Sequence, residues 1–130
     1  MDVTVWVDDW QMACCGEPFS IGSEVSWTVG RSEDPGWLAA LVGQGATVTV
    51  DAFEDHHVGL PEDTPATTGT VTDISAVYCR YESRPGAGSA RYQVDDTGVL
   101  VPVTRADHFR PAWGESDFIG YLVRLAIPPP

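Results

Sequence analysis

Residues 69 to 82 read Gly69-Thr70-Val71-Thr72-Asp73-Ile74-Ser75-Ala76-Val77-Tyr78-Cys79-Arg80-Tyr81-Glu82 and carry the longest β signal of the chain. β-branched and aromatic residues are frequent in this stretch, and apolar and polar side chains alternate along it, as on a half-buried strand. The alternating faces change in character around Ser75-Ala76, which indicates a bend or a bulge. A long strand that curves in this way favours a sheet that closes into a barrel.

The rest of the chain predicts more short strands and little helix. Strand patterns occur at Val3 to Val7, Phe19 to Val29, Ala46 to Phe53, Arg91 to Val94, Val99 to Val103 and Phe118 to Ile127. In the first of these, Val5 and Val7 should face one side of the sheet and Trp6 the other. Only Trp37 to Val42 has the apolar spacing of a helix, over about two turns.

These elements predict a mainly β fold, with the strands in a small antiparallel β-barrel and one short helix. The pattern is similar to the opening strands of an SH3-like barrel, and an OB-like barrel is the alternative. No internal repeat or linker divides the 130 residues, so a single domain over residues 1–130 is expected. Residues 8 to 17 and 54 to 67 carry turn-forming residues and are expected to be loops.

The charge of the chain argues against two classes of partner. Nineteen acidic residues face seven basic ones, all arginine, for a formal net charge of -12. Nucleic acids and anionic membranes bind to lysine and arginine, so neither is expected as a partner. The acidic balance favours solubility or an acidic face for a cation or a basic partner.

Nothing in the sequence predicts a membrane span or a secretory signal. No apolar run reaches the about 18 residues that a span requires, and the N-terminus is acidic where a signal peptide would be basic. A cytoplasmic location is therefore expected, in which the three cysteines would be reduced thiols.

The rarest residue types of the chain lie close together between Trp10 and Trp27. The string Trp10-Gln11-Met12-x-Cys14-Cys15-Gly16-x-Pro18-Phe19-x-x-Gly22, together with Ala76-Val77-Tyr78-Cys79-Arg80-Tyr81, resembles a family of small actinobacterial proteins classed as a domain of unknown function. The resemblance covers most of the chain and implies no activity or ligand. Pro18 to Trp27 are explained by the fold, which leaves Trp10 to Gly16 as the unexplained part.

Cysteine and histidine residues allow one metal hypothesis. Cys14, Cys15, His57 and Cys79 are candidate ligands for a tetrahedral zinc ion, and zinc is the one cofactor considered. Neighbouring cysteines point in different directions, and the Cys-x-x-Cys spacing of compact zinc sites is absent. The alternative is that the cysteines are small buried hydrophobic residues.

Catalysis has weaker support than binding. His56 or His57 beside Asp55 has the chemistry of a general base. A nucleophilic pair of Cys14 or Cys15 with His57 is a weaker alternative, because the sequence shows neither an orienting group nor an oxyanion hole. The favoured function is a non-enzymatic module that binds a protein or peptide, or forms a homodimer. Its candidate binding residues are Trp10, Gln11, Trp37, His56 and His57.

Overall fold

A computed structural model describes residues 1–14, 16–43, 47–55, 60–86 and 88–129. Two short helices are present, α1 (Asp9–Cys14) and α2 (Trp37–Val42). The strands are β1 (Asp2–Asp8), β2 (Phe19–Ser20), β3 (Glu24–Trp27), β4 (Val29–Arg31), β5 (Ala52–Glu54), β6 (Thr67–Cys79), β7 (Tyr81–Ser83), β8 (Arg91–Gln93), β9 (Val99–Val103), β10 (Arg105–Ala106) and β11 (Asp117–Ala126). The prediction of a mainly β fold is confirmed.

The main sheet is built around β6, its longest strand. The strand order is β3-β6-β11-β1-β5-β4, and β9 also pairs with β6. One edge of β6 is paired with β11 along most of its length, while the other edge is shared by β3 and β9. Two separate two-stranded pairs, β10 with β2 and β7 with β8, complete the pairing.

Two apolar clusters lie on the two faces of this sheet. Val5 and Val7 belong to the larger cluster, while Trp6 belongs to the smaller one. This confirms the predicted alternation of β1. Leu38 and Leu41 of α2 complete the smaller cluster, so the helix covers that face. Residues 76 to 79 of β6 are all buried, because this half of the strand has a cluster on each side.

The sheet curls into a half-barrel and does not close, which corrects the predicted barrel. Its two edge strands, β3 and β4, are separated in the chain by Thr28 alone, so the two edges approach each other there. The pairing is also not wholly antiparallel, since β1 and β5 run parallel. An SH3-like or OB-like identity stays a prediction.

Several local predictions were wrong, for reasons outside the local pattern. Residues 9 to 14 form a second helix where a loop was expected. The helix is stabilised by the buried side chains of its own residues Gln11 and Met12, and it is too short to show an apolar period in the sequence. Of the strand expected from Ala46 to Phe53, Ala46 lies outside the described residues, residues 47 to 51 are not in a strand, and Ala52 and Phe53 lie in β5. Before β5, the backbone N–H groups of Val50 and Asp51 donate to Pro35 and Thr4, two partners on separate segments.

Two other strands also differ from expectation. In the predicted strand from Phe19 to Val29, the glycine turn expected at Gly22 is present and separates β2 from β3. The further division at Thr28, which separates β3 from β4, was not expected. The predicted strand at residues 69 to 82 ends at Cys79, and its register shift lies at Thr72 instead of Ser75-Ala76. The alternation marked these residues as extended, but it carried no information on which neighbour each part pairs with.

A second register shift, at Ile119 of β11, depends on Gly120. Its φ is 154°, and a Cβ atom there would lie 2.6 Å from the Trp6 ring and 2.6 Å from the Val7 carbonyl oxygen. Ile119 is the extra residue, since Phe118 pairs with Tyr78 and Gly120 with Val77. The bulge therefore requires glycine, because backbone and an indole ring occupy the space that a side chain would need.

We expect Gly120→Ala to lower the free energy of unfolding by about 3 kcal/mol, the sum of overpacking and backbone strain. Gly86→Ala is the matched control, because Gly86 also has a positive φ, 80°, but nothing within 4 Å of its Cβ position. The control should lose only about 1 kcal/mol. Urea unfolding of both variants measures the difference, and equal losses would show that the Trp6 contact does not matter.

Candidate functional site

A groove lies where the half-barrel stays open. Its volume is about 610 Å³, and residues 23 to 28, which include all of β3, line one side. Val7 of β1, Met12 of α1 and Glu54 of β5 line it as well. Gly16, Glu17, Pro18 and Phe19 complete the lining. The groove thus separates the β3 edge from the β1, α1 and β5 part of the molecule.

The backbone of β3 offers hydrogen-bonding groups to this groove. The Val71 N–H donates to the Ser23 carbonyl, which fixes the alternation of the β3–β6 ladder. Val25 and Trp27 are then the residues whose backbone groups bond to β6, and those of Glu24 and Ser26 point away from it. Within the described ranges no strand pairs with this outer edge of β3.

The inner end of the groove is aromatic and firmly held. Phe19 is buried, and its ring packs edge-on against Trp27 at 5.0 Å and against Tyr121 at 6.4 Å between centroids. Phe19 also pairs with Ala106 in the β2–β10 ladder. The Tyr121 hydroxyl donates to the Asp107 carbonyl at 2.9 Å. These contacts fix Phe19, while Trp27 stays half-buried beside the groove.

The polar part of the groove lining is acidic. Glu17 and Glu24 are exposed, whereas Glu54 is only 6% exposed. Among the described lining residues there is no arginine or histidine. The groove therefore combines an open strand edge, an aromatic wall and carboxylates from three separate segments.

The predicted binding residues do not converge on this groove. Trp10 is 52% exposed on α1, but Gln11 is buried and its side-chain amide donates to Asp55 at 3.1 Å. Trp37 packs edge-on against Trp6, with centroids 4.9 Å apart, beside a second cavity of about 470 Å³. His56 and His57 lie outside the described residues.

Sequence reasoning missed the groove because it explained Phe19, Glu24 and Trp27 by the fold alone. The alternation of Glu24, Val25, Ser26 and Trp27 was visible, and it correctly indicated a strand. What it did not show was that this strand lies at an edge, since that depends on which distant segments pair with it.

The candidate zinc ligands that the structure describes lie in unlike surroundings. Cys79 is fully buried in the smaller apolar cluster, and Cys14 is exposed at the end of α1. Cys15 and His57 lie outside the described residues. Elsewhere in the described chain, no group of three or more histidine, cysteine, aspartate or glutamate side chains is arranged to hold a metal ion. The zinc hypothesis stays a prediction.

Comparison with known proteins places the chain in a family. A family described as "Family of unknown function (DUF6578)" matches residues 1–127. The chain belongs to this family. No curated protein and no solved structure matches the chain. This confirms the resemblance to a family of unknown function, while the actinobacterial origin and the Trp10 to Gly22 signature stay predictions. The function has to be argued from the groove.

Neither described helix offers a route across a membrane, since both α1 and α2 fall short of the length and apolar character of a span.

The start of α1 carries a carboxyl group with an altered proton affinity. Burial, and next a hydrogen bond with Asp8 and charge repulsion from it, raise the pKa of Asp9 to about 7, against a lowering by backbone N–H groups. At pH values between 3.8, the ordinary pKa of this group, and about 7, the folded state therefore binds one more proton than the unfolded state. Stability should fall as pH rises through this window.

We expect Asp9→Asn to remove this loss, because asparagine resembles the protonated acid. The difference in free energy of unfolding between the variant and the natural protein should grow in favour of the variant by about 1–2 kcal/mol from pH 4 to pH 7.5. This value is reduced because Asp9 is partly exposed to solvent. Urea unfolding at both pH values measures the gain. Asp73→Asn, at an exposed position on β6, is the control and should show no such pH dependence. A constant difference between Asp9→Asn and the natural protein would contradict the assignment.

The thiols should differ sharply in reactivity. Burial, and next the charge of Asp117, raise the pKa of Cys79 to about 11, against a lowering by a hydrogen bond from Tyr81. Only about one thiol in a thousand would be ionised at pH 8. We expect iodoacetamide to label Cys14 in the folded protein and Cys79 only after unfolding. Peptide mapping by mass spectrometry tests this, and rapid labelling of Cys79 at pH 8 would refute it.

Proposed function

We propose that this protein is a non-enzymatic interaction module that binds an extended segment of a partner protein by adding it as a strand to the outer edge of β3. The observation that carries the proposal is the open β3 edge beside a groove of about 610 Å³. Strand addition satisfies the backbone groups of the edge, and side-chain pockets beside it provide selectivity.

The geometry suits a short strand. β3 has four residues, so its length is about 14 Å and it would pair with a segment of similar length. Alternate side chains of the added strand would point towards Phe19 and Trp27 on one side and lie beside Glu24 and Ser26 on the other. An added strand would occupy the opening of the half-barrel.

Among the described strands of the main sheet, β3, β4 and β9 each have an unpaired outer edge, whereas the strands between them are paired on both sides. Of these three unpaired edges, only β3 lines the groove of about 610 Å³. Exposed strand edges tend to pair with other chains, so folded proteins usually cover or block them. Among the described residues no strand covers the outer edge of β3, and a groove lies beside it.

A second copy of the chain is a less suitable occupant than a different protein. Pairing two copies through β3 would bring the Glu17, Glu24 and Glu54 of both into one place, with a formal charge of -12 on each chain. Like charges placed opposite each other destabilise a strand pair. We therefore propose a hetero-partner at this edge.

We expect selection from a random peptide library on the immobilised protein to yield binders that protect the amides of Glu24 and Ser26 from hydrogen exchange. Ser26→Pro should weaken these peptides about tenfold, since it removes an outward N–H and places a ring in the path of the added strand. Ser26→Ala is the matched control, because it loses the same hydroxyl but keeps the N–H, and it should bind normally.

Thermal unfolding of both variants checks that the fold is retained. Three outcomes would overturn the proposal: no peptide is selected, selected peptides leave both amides exchanging freely, or Ser26→Pro and Ser26→Ala bind alike. Protection of both amides that rises with protein concentration, without peptide, would show self-pairing instead of a hetero-partner.

A further inference from the structure

The described lining of the groove beside the β3 edge contains acidic side chains and no basic one. Glu17 precedes β2, Glu24 lies on β3 and Glu54 ends β5, so three distant segments bring their carboxylates to one groove. Glu17 and Glu24 form no ion pair with any of the described residues. The field at the groove is therefore negative, and the net charge of the chain adds to it.

Four of the seven arginines of the chain have partners outside the groove. Arg105 pairs with Asp107 at 2.9 Å, and Arg91 lies 3.9 Å from Asp117. Arg110 donates to the Tyr121 hydroxyl at 3.1 Å, and the Arg84 guanidinium lies 4.1 Å from the centre of the Tyr92 ring. The described lining of the groove contains none of the seven.

From this arrangement we infer that the strand received by β3 is basic, with arginine side chains alternating with apolar ones. The inference rests on the proposed strand addition and specifies its partner. Residues opposite each other on paired strands have Cβ atoms about 5 Å apart, so a basic side chain opposite Glu24 lies within reach of its carboxylate. Arginine suits the site better than lysine, since its planar guanidinium can donate two parallel hydrogen bonds to a carboxylate such as that of Glu24.

Glu17 and Glu24 are the exposed carboxylates of the groove lining, so a charged side chain of a partner can reach them. An acidic or phosphorylated segment would be repelled at the same place. The groove therefore distinguishes partners by the sign of their charge as well as by their ability to form a strand.

Three synthetic peptides with blocked ends test the inference. The first is Thr-Arg-Val-Arg-Val-Arg-Thr, the second replaces arginine with glutamine, and the third replaces valine with proline, which keeps the charge but removes strand-forming N–H groups. Calorimetry measures affinity, and hydrogen exchange at Glu24 and Ser26 reports strand addition. We expect the first peptide to protect both amides and to bind at least about tenfold more tightly than the second at low salt. This advantage should shrink at about 0.5 M salt.

Variants then locate the charge. Glu24→Gln should weaken the arginine peptide about threefold and leave the glutamine peptide unchanged. Glu82→Gln is the matched control, because Glu82 is exposed on β7, outside the groove lining, and it should bind the arginine peptide normally. An equal effect of the two substitutions would mean that the attraction comes from the net charge alone and would overturn the inference.

The outcomes separate this inference from the proposed function. If the arginine and glutamine peptides protect Glu24 and Ser26 with equal affinity, strand addition stands and the basic partner is refuted. Binding of the proline peptide as tightly as the valine peptide would also refute it, because the attraction would not need a strand. If library-selected peptides also fail to protect either amide, the strand addition itself is wrong.

Discussion

The pairing of β6 with β11 is the contact on which the rest of the main sheet depends. β3 and β9 attach to β6, β1 attaches to β11, β5 attaches to β1, and β4 attaches to β5. Residues 76 to 79 lie between the two apolar clusters, so this pair also joins the two halves of the core. Removing the β6–β11 contact would leave no continuous sheet.

The same pairing determines where the sheet stays open. Because β3 and β9 share one edge of β6, β3 covers only the first part of that strand, and its own outer edge faces the groove. The chain then continues through Thr28 into β4 at the opposite end of the strand order. The two end strands of the sheet, β3 and β4, are connected by one residue, but the sheet does not close between them. The groove lies at this opening.

The sequence predicted those features that depend on local pattern. The opposite orientations of Trp6 and its neighbours Val5 and Val7 follow from strand geometry, and α2 begins at Trp37 and ends at Val42 as the apolar spacing indicated. The short helix α1 was not predictable in this way, since six residues held by the burial of Gln11 and Met12 show no period.

Most of the candidate site required the fold. Glu17, Glu24 and Glu54 are far apart in the sequence, and each reads as a solvated turn or the polar side of a strand. Only the curl of the sheet brings them to one groove. Trp27 was correctly assigned to the interior face of its strand, but it lies at the margin of the core, because β3 has no neighbour on its outer edge among the described residues.

The acidity of the β3 edge has two effects that point in the same direction. An exposed edge strand invites pairing between copies of one chain, and charged side chains are one means by which natural sheets prevent it. Glu24 on the strand, with Glu17 and Glu54 beside it, opposes such self-pairing because every copy carries the same charges. The same charges favour a basic strand. A neutral edge protected by a covering loop would avoid self-pairing equally well, but it would leave no groove for a partner. The combination of an edge that no described strand covers, an aromatic wall and the exposed carboxylates of Glu17 and Glu24 therefore supports selective strand addition more strongly than simple protection against aggregation.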